Sequence, residues 1–389
     1  MHDVVLDTIL DKFNFLTDVF STKPKLENLL AFVLAIPLSS GSTIQSFADW
    51  LGDWKNQSSL NRFLTESGWK LSEFWHGYHQ WLGEKTAQAK GTVYFIIDDS
   101  KAKKTGSLIE RATKDYDTNE NRQVLCHTLV VSILRLAGQN FPHQLVLYDK
   151  TKKDTKLFKS KLDVAVEQAA AFVKSTGMRR RIVFLFDSWY CCSKFISTLP
   201  EWAGWVSRPK RNRLIKIDNF WQPLTEISGC VKSWDYRRVE VKKGTYFWAC
   251  ALRVELKGLG MVTLVFAKPS KYARRVEFFV SNLDVSAEEI LRHYAERWEV
   301  EVFFRAAKQN LGLDGYQMRK FRGNRRYWSL VILSYAILSV LQGCWKRTCR
   351  TIGNTIAELR RRMQKQVQNY GRSYGLLIEN YVGEKIAKL

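Results

Sequence analysis

The spacing of apolar positions changes several times along the chain, and each change marks a different kind of structure. Up to about residue 90 the apolar positions recur at helical spacing, with Ser and Gly turns between short segments. From residue 91 they form continuous β-branched runs, which are typical of strands buried on both faces. Short strands with Lys and Gly turns occupy residues 211–283, and helical spacing returns after residue 284. The pattern predicts an α/β protein interrupted by a β-rich insertion.

Five parts follow from these changes. They are a helical N-terminal domain at 1–90, the first part of an α/β core at 91–210, and a β-rich insertion domain at 211–283, followed by the second part of the core at 284–345 and a basic helical tail at 346–389. Three strands in the first part of the core predict an antiparallel meander. The final strand of the insertion could also belong to the main sheet.

Two of the buried runs end in an aspartate. Residues 92–97 lead into Asp98 and Asp99, and residues 182–186 lead into Asp187. A lone Asp after a strand is often a turn residue. Two of them, each placed directly after a buried run, are expected to bring carboxylates to one edge of the sheet.

The segment after residue 284 predicts one long helix that begins at Ser286, with Glu289 completing a capping box. At about 100° per residue, a stripe about 60° wide collects a carboxylate, two cations and a phenol. Its members are Tyr294, Arg297, Glu301 and Lys308, with Arg305 close by. A carboxylate can hold a divalent metal, and the cations and the phenol can hold phosphates. A solvated face with i,i+4 ion pairs is the alternative.

The charge balance favours a polyanionic partner. The 389 residues include 61 Lys and Arg against 38 Asp and Glu, a formal charge of +23. Nucleic acid is the leading candidate, and an anionic membrane is the competing one. The apolar segment 327–342 is interrupted by serines and is shorter than the ~20 residues of a membrane span, so we expect a core helix. Seven cysteines without a C-x-x-C pair, and an N-terminus without signal-peptide features, predict a cytoplasmic protein.

The N-terminal helices are compatible with a helix-turn-helix type of DNA-binding domain. Thr43 is expected to cap residues 44–54, and Ser58 is expected to cap residues 60–67. No recognition helix can be named from the pattern. The candidate phosphate contacts in this part are Lys55, Arg62 and Lys70.

At this point the chain resembles a family. The Tyr294-x2-Arg297-x3-Glu301-x6-Lys308 spacing is similar to the Tyr-Arg-Glu-Lys signature of DDE transposases of bacterial insertion sequences. The segment from Ile97 to Ser100 resembles the motif of the family's first aspartate. By that pattern Asp98 is the ligand, with Asp99 as the alternative, and Asp187 with the Ser-Trp-Tyr that follows resembles the second motif. The resemblance covers roughly residues 25–345.

The resemblance implies a ribonuclease-H-like core, a mixed five-stranded sheet with flanking helices. It also implies metal-dependent nicking at transposon ends, attack of the freed 3′-hydroxyl on target DNA, and in many members a DNA hairpin. Two Mg²⁺ ions, which Mn²⁺ could replace, would be held by Asp98, Asp187 and Glu301. The expected partners are double-stranded DNA, as terminal inverted repeats and target, and a second copy of the chain in a paired-end complex.

Further DNA contacts are expected from basic and aromatic residues around this site. A basic loop at 316–326 is a phosphate-contact signal, as is the loop expected after residue 100. A tryptophan of the insertion could stack on a flipped base. The candidate phosphate contacts are Tyr294, Arg297, Lys308, Arg305, Lys101, Lys103, Lys104, Arg319 and Arg322, and the candidate stacking residues are Trp234 and Trp248.

Three rival interpretations remain open in the sequence. The chain could be an inactive or domesticated DNA-binding copy, although all three carboxylates are present. It could be another nuclease on the same core, such as a junction resolvase, which the insertion and the four-residue stripe disfavour. It could also be a basic protein of the membrane surface that relies on the apolar segment 327–342.

Overall fold

A computed structural model of the chain describes residues 4–118, 120–176, 181–227, 231–370 and 373–387. The N-terminal part is helical, as predicted. Its helices are α1 (Val4–Lys12), α2 (Phe15–Val19), α3 (Lys23–Leu38), α4 (Ile44–Leu51), α5 (Gln57–Thr65) and α6 (Leu71–Gln88). Helix α4 begins at the predicted cap, since Thr43 accepts the amide of Ser46. The predicted cap of α5 was wrong by two residues, because the side chain of Asn56 accepts the amide of Ser59 at 2.8 Å.

The first part of the core holds a mixed sheet flanked by helices. Its elements are β1 (Val93–Lys103), β2 (Thr113–Asp117), β3 (Arg122–Leu136), β4 (Gln139–Leu147), α7 (Lys161–Thr176), β5 (Ile182–Phe186), α8 (Ser193–Ile196) and β6 (Gly204–Ser207). Strand β1 lies between antiparallel β3 and parallel β5. Strand β6 is parallel to β5, and β4 is antiparallel to β3. The meander β1-β3-β4 is confirmed, and β2 was not predicted.

Strand β1 is longer than its apolar run, and this corrects the prediction that Asp98 ends the strand. The pairing with β3 continues from Asp98 opposite Val131 to Lys103 opposite Cys126. The expected basic loop therefore begins inside the strand. The reason is tertiary: β3 offers a hydrogen-bond ladder that holds polar residues in extended conformation as well as apolar ones.

The insertion extends the same sheet. Its elements are β7 (Leu214–Ile217), β8 (Phe220–Pro223), α9 (Leu224–Ile227), β9 (Arg237–Lys242), β10 (Thr245–Leu256), β11 (Gly260–Lys268) and β12 (Glu277–Ser281). Strand β12 pairs with β6, where Val280 lies opposite Ser207, so the last strand does join the main sheet. Within the described ranges, the strands of the core and of the insertion form one continuous sheet of twelve strands. The expected domain boundaries themselves stay predictions.

Helices close the chain. They are α10 (Ala287–Ala295), α11 (Trp298–Leu311), α12 (Phe321–Cys344), α13 (Ile352–Tyr370) and α14 (Tyr374–Ile386). Among the described helices α12 alone is long and apolar enough to cross a membrane, but 83% of its apolar window is buried inside the protein. It packs against β4 and α3, and the hydroxyl of Ser339 donates to the carbonyl of Asn140 at 2.7 Å. Helix α12 is therefore a core helix, as the sequence predicted.

Candidate active site

The parallel pairing of β1 with β5 aligns two of the expected carboxylates. Ile96 lies opposite Leu185 in this pairing, and two further residues along each strand lead to Asp98 and Asp187. Neighbouring strands are about 4.8 Å apart. The Asp187 carboxylate is oriented by the amide of Trp189, which donates to Oδ1 at 2.9 Å. The two aspartates therefore sit side by side where β5 ends.

Strand alternation separates Asp98 from Asp99. Tyr94 shares its face of β1 with Asp98, and its hydroxyl lies 2.9 Å from His293 of α10. Asp99 points to the opposite face, where its carboxylate accepts from Lys161 of α7 at 2.6 Å and from the Tyr190 hydroxyl at 3.2 Å. Only Asp98 faces the helices that carry the four-residue stripe.

The electrostatic environment of the two aligned aspartates penalises negative charge. Burial, followed by the neighbouring charge of Asp187, raises the pKa of Asp98 to about 7. Burial also raises the pKa of Asp187, and the amides of Trp189 and Tyr190 act against this rise. A cation bound beside these two carboxylates would favour their charged forms and so oppose this rise.

The helix carrying the stripe is broken, which corrects the prediction of one continuous helix. Helix α10 starts at Ser286 as expected, with its hydroxyl accepting the amide of Glu289 at 3.2 Å. At the junction the amide of Arg297 bonds the carbonyl of Tyr294, and the amide of Val300 bonds the carbonyl of Arg297. These are i to i−3 bonds of the tighter 3₁₀ type. Tyr294 therefore lies in the last turn of α10, whereas Glu301 lies in the first turn of α11.

Arg297 lies between two of the three expected acidic residues. Its Nη1 donates to Asp98 Oδ2 at 2.9 Å, and its Nη2 donates to Glu301 Oε1 at 3.4 Å. In the part of the chain that the structure describes, no three His, Cys, Asp or Glu side chains are grouped so that they could hold a metal ion. In the described structure the Arg297 guanidinium is the cation that links Asp98 to Glu301, and the three-carboxylate metal site stays a prediction.

The donor chemistry nevertheless fits a divalent cation. Asp98, Asp187 and Glu301 offer the carboxylate oxygens that hard cations such as Mg²⁺ prefer. Asp98 and Asp187 are aligned, and the charge of Asp187 raises the pKa of Asp98. Glu301 would join them as a ligand once the Arg297 guanidinium had moved away from both of its carboxylate partners.

Tyr294 and Lys308 are less accessible than their expected phosphate-binding role suggested. Tyr294 packs edge-on against Phe279, and burial raises the pKa of its phenol to about 12. Lys308 donates to the carbonyl of Lys101 at 3.0 Å, and burial lowers its pKa. Tyr294 therefore lies against β12 and next to Arg297, whereas Lys308 contacts the backbone of β1.

The basic residues after Asp98 divide into three groups. Lys104 is buried and donates to the carbonyls of Asp314 and Tyr316, and burial lowers its pKa to about 7. This corrects its expected role as a phosphate contact. Lys103 pairs with Asp117 at 2.8 Å, and Lys101 is half-buried. The exposed members of the predicted set are Lys103, Arg305, Arg319 and Arg322.

The N-terminal candidates for phosphate binding have different surroundings. Lys55 pairs with the buried Glu27 at 3.0 Å, and Lys70 pairs with Glu73 at 2.9 Å on the surface. Arg62 is exposed on α5. Of these three residues, Arg62 is therefore the best candidate for a phosphate contact.

Three tryptophans are relevant to base stacking, the two expected ones of the insertion and one next to Asp187. Trp234 of the insertion is 76% exposed, and Trp248 is half-buried on β10 with Lys271 Nζ 5.4 Å from its ring centroid. Sequence reasoning missed Trp189, which is 55% exposed and stands two residues after Asp187. Its position in the Asp-Ser-Trp-Tyr motif was the available signal.

Comparisons with a protein family and with solved structures both find matches. The family model of the transposase DDE domain matches residues 90–337. Among solved structures, the chain is similar to a cryo-EM structure of the piggyBac transposase synaptic complex with hairpin DNA. The TM-score is 0.51 at 11% identity, over 93% of this chain and 76% of that one. At this identity the likeness concerns the fold alone. No curated protein sequence matches the chain.

Proposed function

The chain belongs to the transposase DDE domain family, and on that premise we propose that it acts at the ends of an insertion sequence. It nicks DNA by metal-dependent hydrolysis there and joins the 3′-hydroxyl ends to target DNA. The observation that carries this proposal is the alignment of Asp98 with Asp187, with Arg297 linking Asp98 to Glu301. The family match covers the segment that contains all three carboxylates.

The core is proposed to be ribonuclease-H-like. Five strands support this, in the spatial order β4-β3-β1-β5-β6, with β1, β5 and β6 parallel and β3 antiparallel to both of its neighbours. In this sheet Asp98, in the middle of β1, lies beside the carboxyl end of β5, and ligands of open α/β sheets bind at the carboxyl ends of strands. The Tyr-Arg-Glu-Lys spacing supports membership of the corresponding subgroup of insertion-sequence transposases.

Transposases of the DDE family generally use divalent metal ions. Asp98, Asp187 and Glu301 are proposed to hold Mg²⁺ here, in a two-ion site that Mn²⁺ could also fill. When bound, such ions activate a water or a 3′-hydroxyl and stabilise the leaving oxygen. The raised pKa of Asp98 supports this assignment, because a divalent cation relieves the repulsion between the two aspartates.

The protein's own groups are proposed to position the phosphodiester. Arg297 presents a planar guanidinium beside the carboxylates, and this geometry matches two phosphate oxygens. Transfer of that guanidinium from Asp98 and Glu301 to a DNA phosphate would free both carboxylates together. Tyr294 and Lys308 border the same face and would hold the neighbouring backbone.

The partner is proposed to be double-stranded DNA, as terminal inverted repeats and as target. The formal charge of +23 supports a polyanionic partner. The solved piggyBac structure is a synaptic complex with hairpin DNA, which supports a hairpin intermediate here as well. Joining two ends to one target requires two sites, so we propose a homodimer on paired ends, acting in the bacterial cytoplasm.

Two substitutions test the function directly. Glu301→Gln and Asp187→Asn should each still shift end DNA in a gel but lose cleavage with Mg²⁺, on the order of 10³-fold or more. Glu288→Gln is the matched control. The Glu288 side chain is 38% exposed, as is that of Glu301, and each carboxylate pairs with an arginine four residues away.

The outcome separates the rival interpretations. Cleavage by the wild-type protein and by Glu288→Gln, with loss in both other variants, supports the transposase. Undiminished cleavage by Glu301→Gln and Asp187→Asn would contradict the site. Binding without cleavage by the wild-type protein would point to a DNA-binding protein without chemistry, and cleavage without strand joining would point to a different nuclease.

A further inference from the structure

Trp189 projects an exposed indole beside the candidate active site. The side chain is 55% exposed, although its neighbour Tyr190 is completely buried. The backbone amide of Trp189 donates to the Asp187 carboxylate at 2.9 Å, so the indole is anchored within two residues of that group. Core packing therefore does not account for this tryptophan.

Two lysines from separate parts of the chain flank the same indole. Lys161 Nζ, at the start of α7, lies 5.9 Å from the ring centroid of Trp189, and Lys210 Nζ, after β6, lies 5.4 Å from it. Lys161 also bonds Asp99 at 2.6 Å, which fixes its ammonium group in place. Lys210 is exposed. An apolar ring and positive charge are thus combined at one point of the surface.

This combination has a known physical use in binding single-stranded nucleic acid. A base can stack on an exposed indole whatever its identity, and nearby ammonium groups neutralise the flanking phosphates. We propose that Trp189 is a stacking platform for an unpaired nucleotide of the DNA held at the Asp187 site, with Lys210 at a phosphate of that nucleotide. The inference rests on the proposed function for the identity of the nucleic acid.

Trp248, one of the two expected stacking residues of the insertion, is less well placed. Trp248 lies on β10, which is separated from β5 by four steps across the sheet through β6, β12 and β11. At about 4.8 Å per step this is roughly 19 Å. Trp189, by contrast, directly follows the strand that delivers Asp187.

The test compares two DNA probes in EDTA, so that cleavage plays no part. One probe is a fluorescein-labelled duplex, and the other is the same duplex with an unpaired oligothymidine tail. The wild-type protein should prefer the tailed probe in fluorescence anisotropy titrations. Trp189→Ala should lose about fivefold or more of its affinity for the tailed probe, from the loss of one stacked base, and keep its affinity for the paired one.

Matched variants separate stacking from a structural effect. Trp189→Phe keeps an aromatic face and should retain most of the preference for the tail. Trp234→Ala, which removes the more exposed indole of the insertion, should retain all of it. Lys210→Gln should reduce the salt dependence of tailed-probe binding by about one phosphate contact. An unchanged preference in Trp189→Ala, or an equal loss in Trp234→Ala, overturns the proposal, as does a wild-type protein without any preference.

A spectroscopic readout gives an independent check. 2-Aminopurine placed in the tail next to the duplex should be quenched by the indole in the wild-type complex and brighter in the complex with Trp189→Ala. Equal brightness in the two complexes contradicts stacking. Because both measurements exclude metal, they can succeed even if the cleavage assays fail, and the reverse also holds.

Discussion

The guanidinium of Arg297 donates to the carboxylate of Asp98 across 2.9 Å and joins residues 199 positions apart in the chain. The bond attaches the start of α11 to the centre of the sheet. Among the described residues, Arg297 is the only cation of the four-residue stripe that forms an ion pair with a candidate catalytic carboxylate. Strand alternation turns Asp98 and Asp99 to opposite faces, and the bond from Arg297 shows that Asp98 is the one that faces α11.

Asp98 and Asp99 form a natural matched pair for mutagenesis. Their side chains are equally exposed, at 17%, but they point to opposite faces of β1. Asp98→Asn should lower Mg²⁺-dependent cleavage on the order of 10³-fold or more, whereas Asp99→Asn should stay within about tenfold of the wild-type rate. Loss of the Asp99 bond to Lys161 should instead appear in thermal unfolding. A larger loss of cleavage in Asp99→Asn would reassign the first aspartate.

Removal of the Arg297 charge tests whether this guanidinium competes with a metal ion for Asp98 and Glu301. Arg297→Gln leaves Asp98 and Glu301 without their shared cation, so the free energy of unfolding in EDTA should fall by about 2 kcal/mol. Added MgCl₂ should restore more stability to this variant than it gives the wild-type protein, since the carboxylates no longer have a competing cation. Thermal unfolding with and without MgCl₂ measures both effects. Equal metal responses in the two proteins would contradict the competition.

The contribution of His127 to stability should fall as the pH drops. This side chain is fully buried, with the Tyr316 hydroxyl 2.7 Å from Nδ1 and the Glu110 carbonyl 3.0 Å from Nε2. Burial lowers its pKa to about 4, against 6.5 as the ordinary value. Between these values the unfolded chain binds a proton at this ring that the folded chain does not, so the contribution of His127 to stability falls by up to about 3 kcal/mol as the pH drops from 6.5 to 4. Asp98, whose folded pKa is raised to about 7, acts in the opposite direction over this range, so the effect of His127 is the difference between the wild-type protein and a variant without this ring.

The measurement is chemical denaturation across that pH range. His127→Gln carries no titrating ring and keeps polar atoms for both partners, so its stability should depend less on pH between 6.5 and 4. An identical slope in the variant and the wild-type protein would show that other groups cause the acid response.

A buried arginine joins the N-terminal helices to the core helix. Arg326 of α12 donates to the carbonyls of Phe63 at 3.3 Å, Leu64 at 3.1 Å and Ser67 at 2.8 Å, and also to that of Trp69. Lysine cannot reproduce this fork, so Arg326→Lys should lower the free energy of unfolding by about 2–4 kcal/mol. Arg322→Lys is the control, because Arg322 is exposed and bonds the Ser67 carbonyl alone among these four. It should change stability by less than about 0.5 kcal/mol. Similar losses in both variants would contradict the role of burial.

The sequence by itself determined the local elements and the identity of the key side chains. The apolar runs of β1 and β5, the caps at Thr43 and Ser286, and the core helix α12 all follow from spacing and capping, which depend on residues near one another in the chain. The signature spacing from Tyr294 to Lys308 also led to the transposase family, which the match over residues 90–337 shows. The roles of the individual site residues stay predictions.

Only the tertiary structure decided how these elements meet. Pairing with β3 carried β1 past Asp98, and pairing of β12 with β6 merged the insertion into the main sheet. Arg297 bonds Asp98 from the junction where α10 and α11 are separated. Lys104 is buried in the folded chain rather than exposed. Each of these depends on hydrogen bonds and charges supplied by segments far away in sequence, and local periodicity carries no information about such partners.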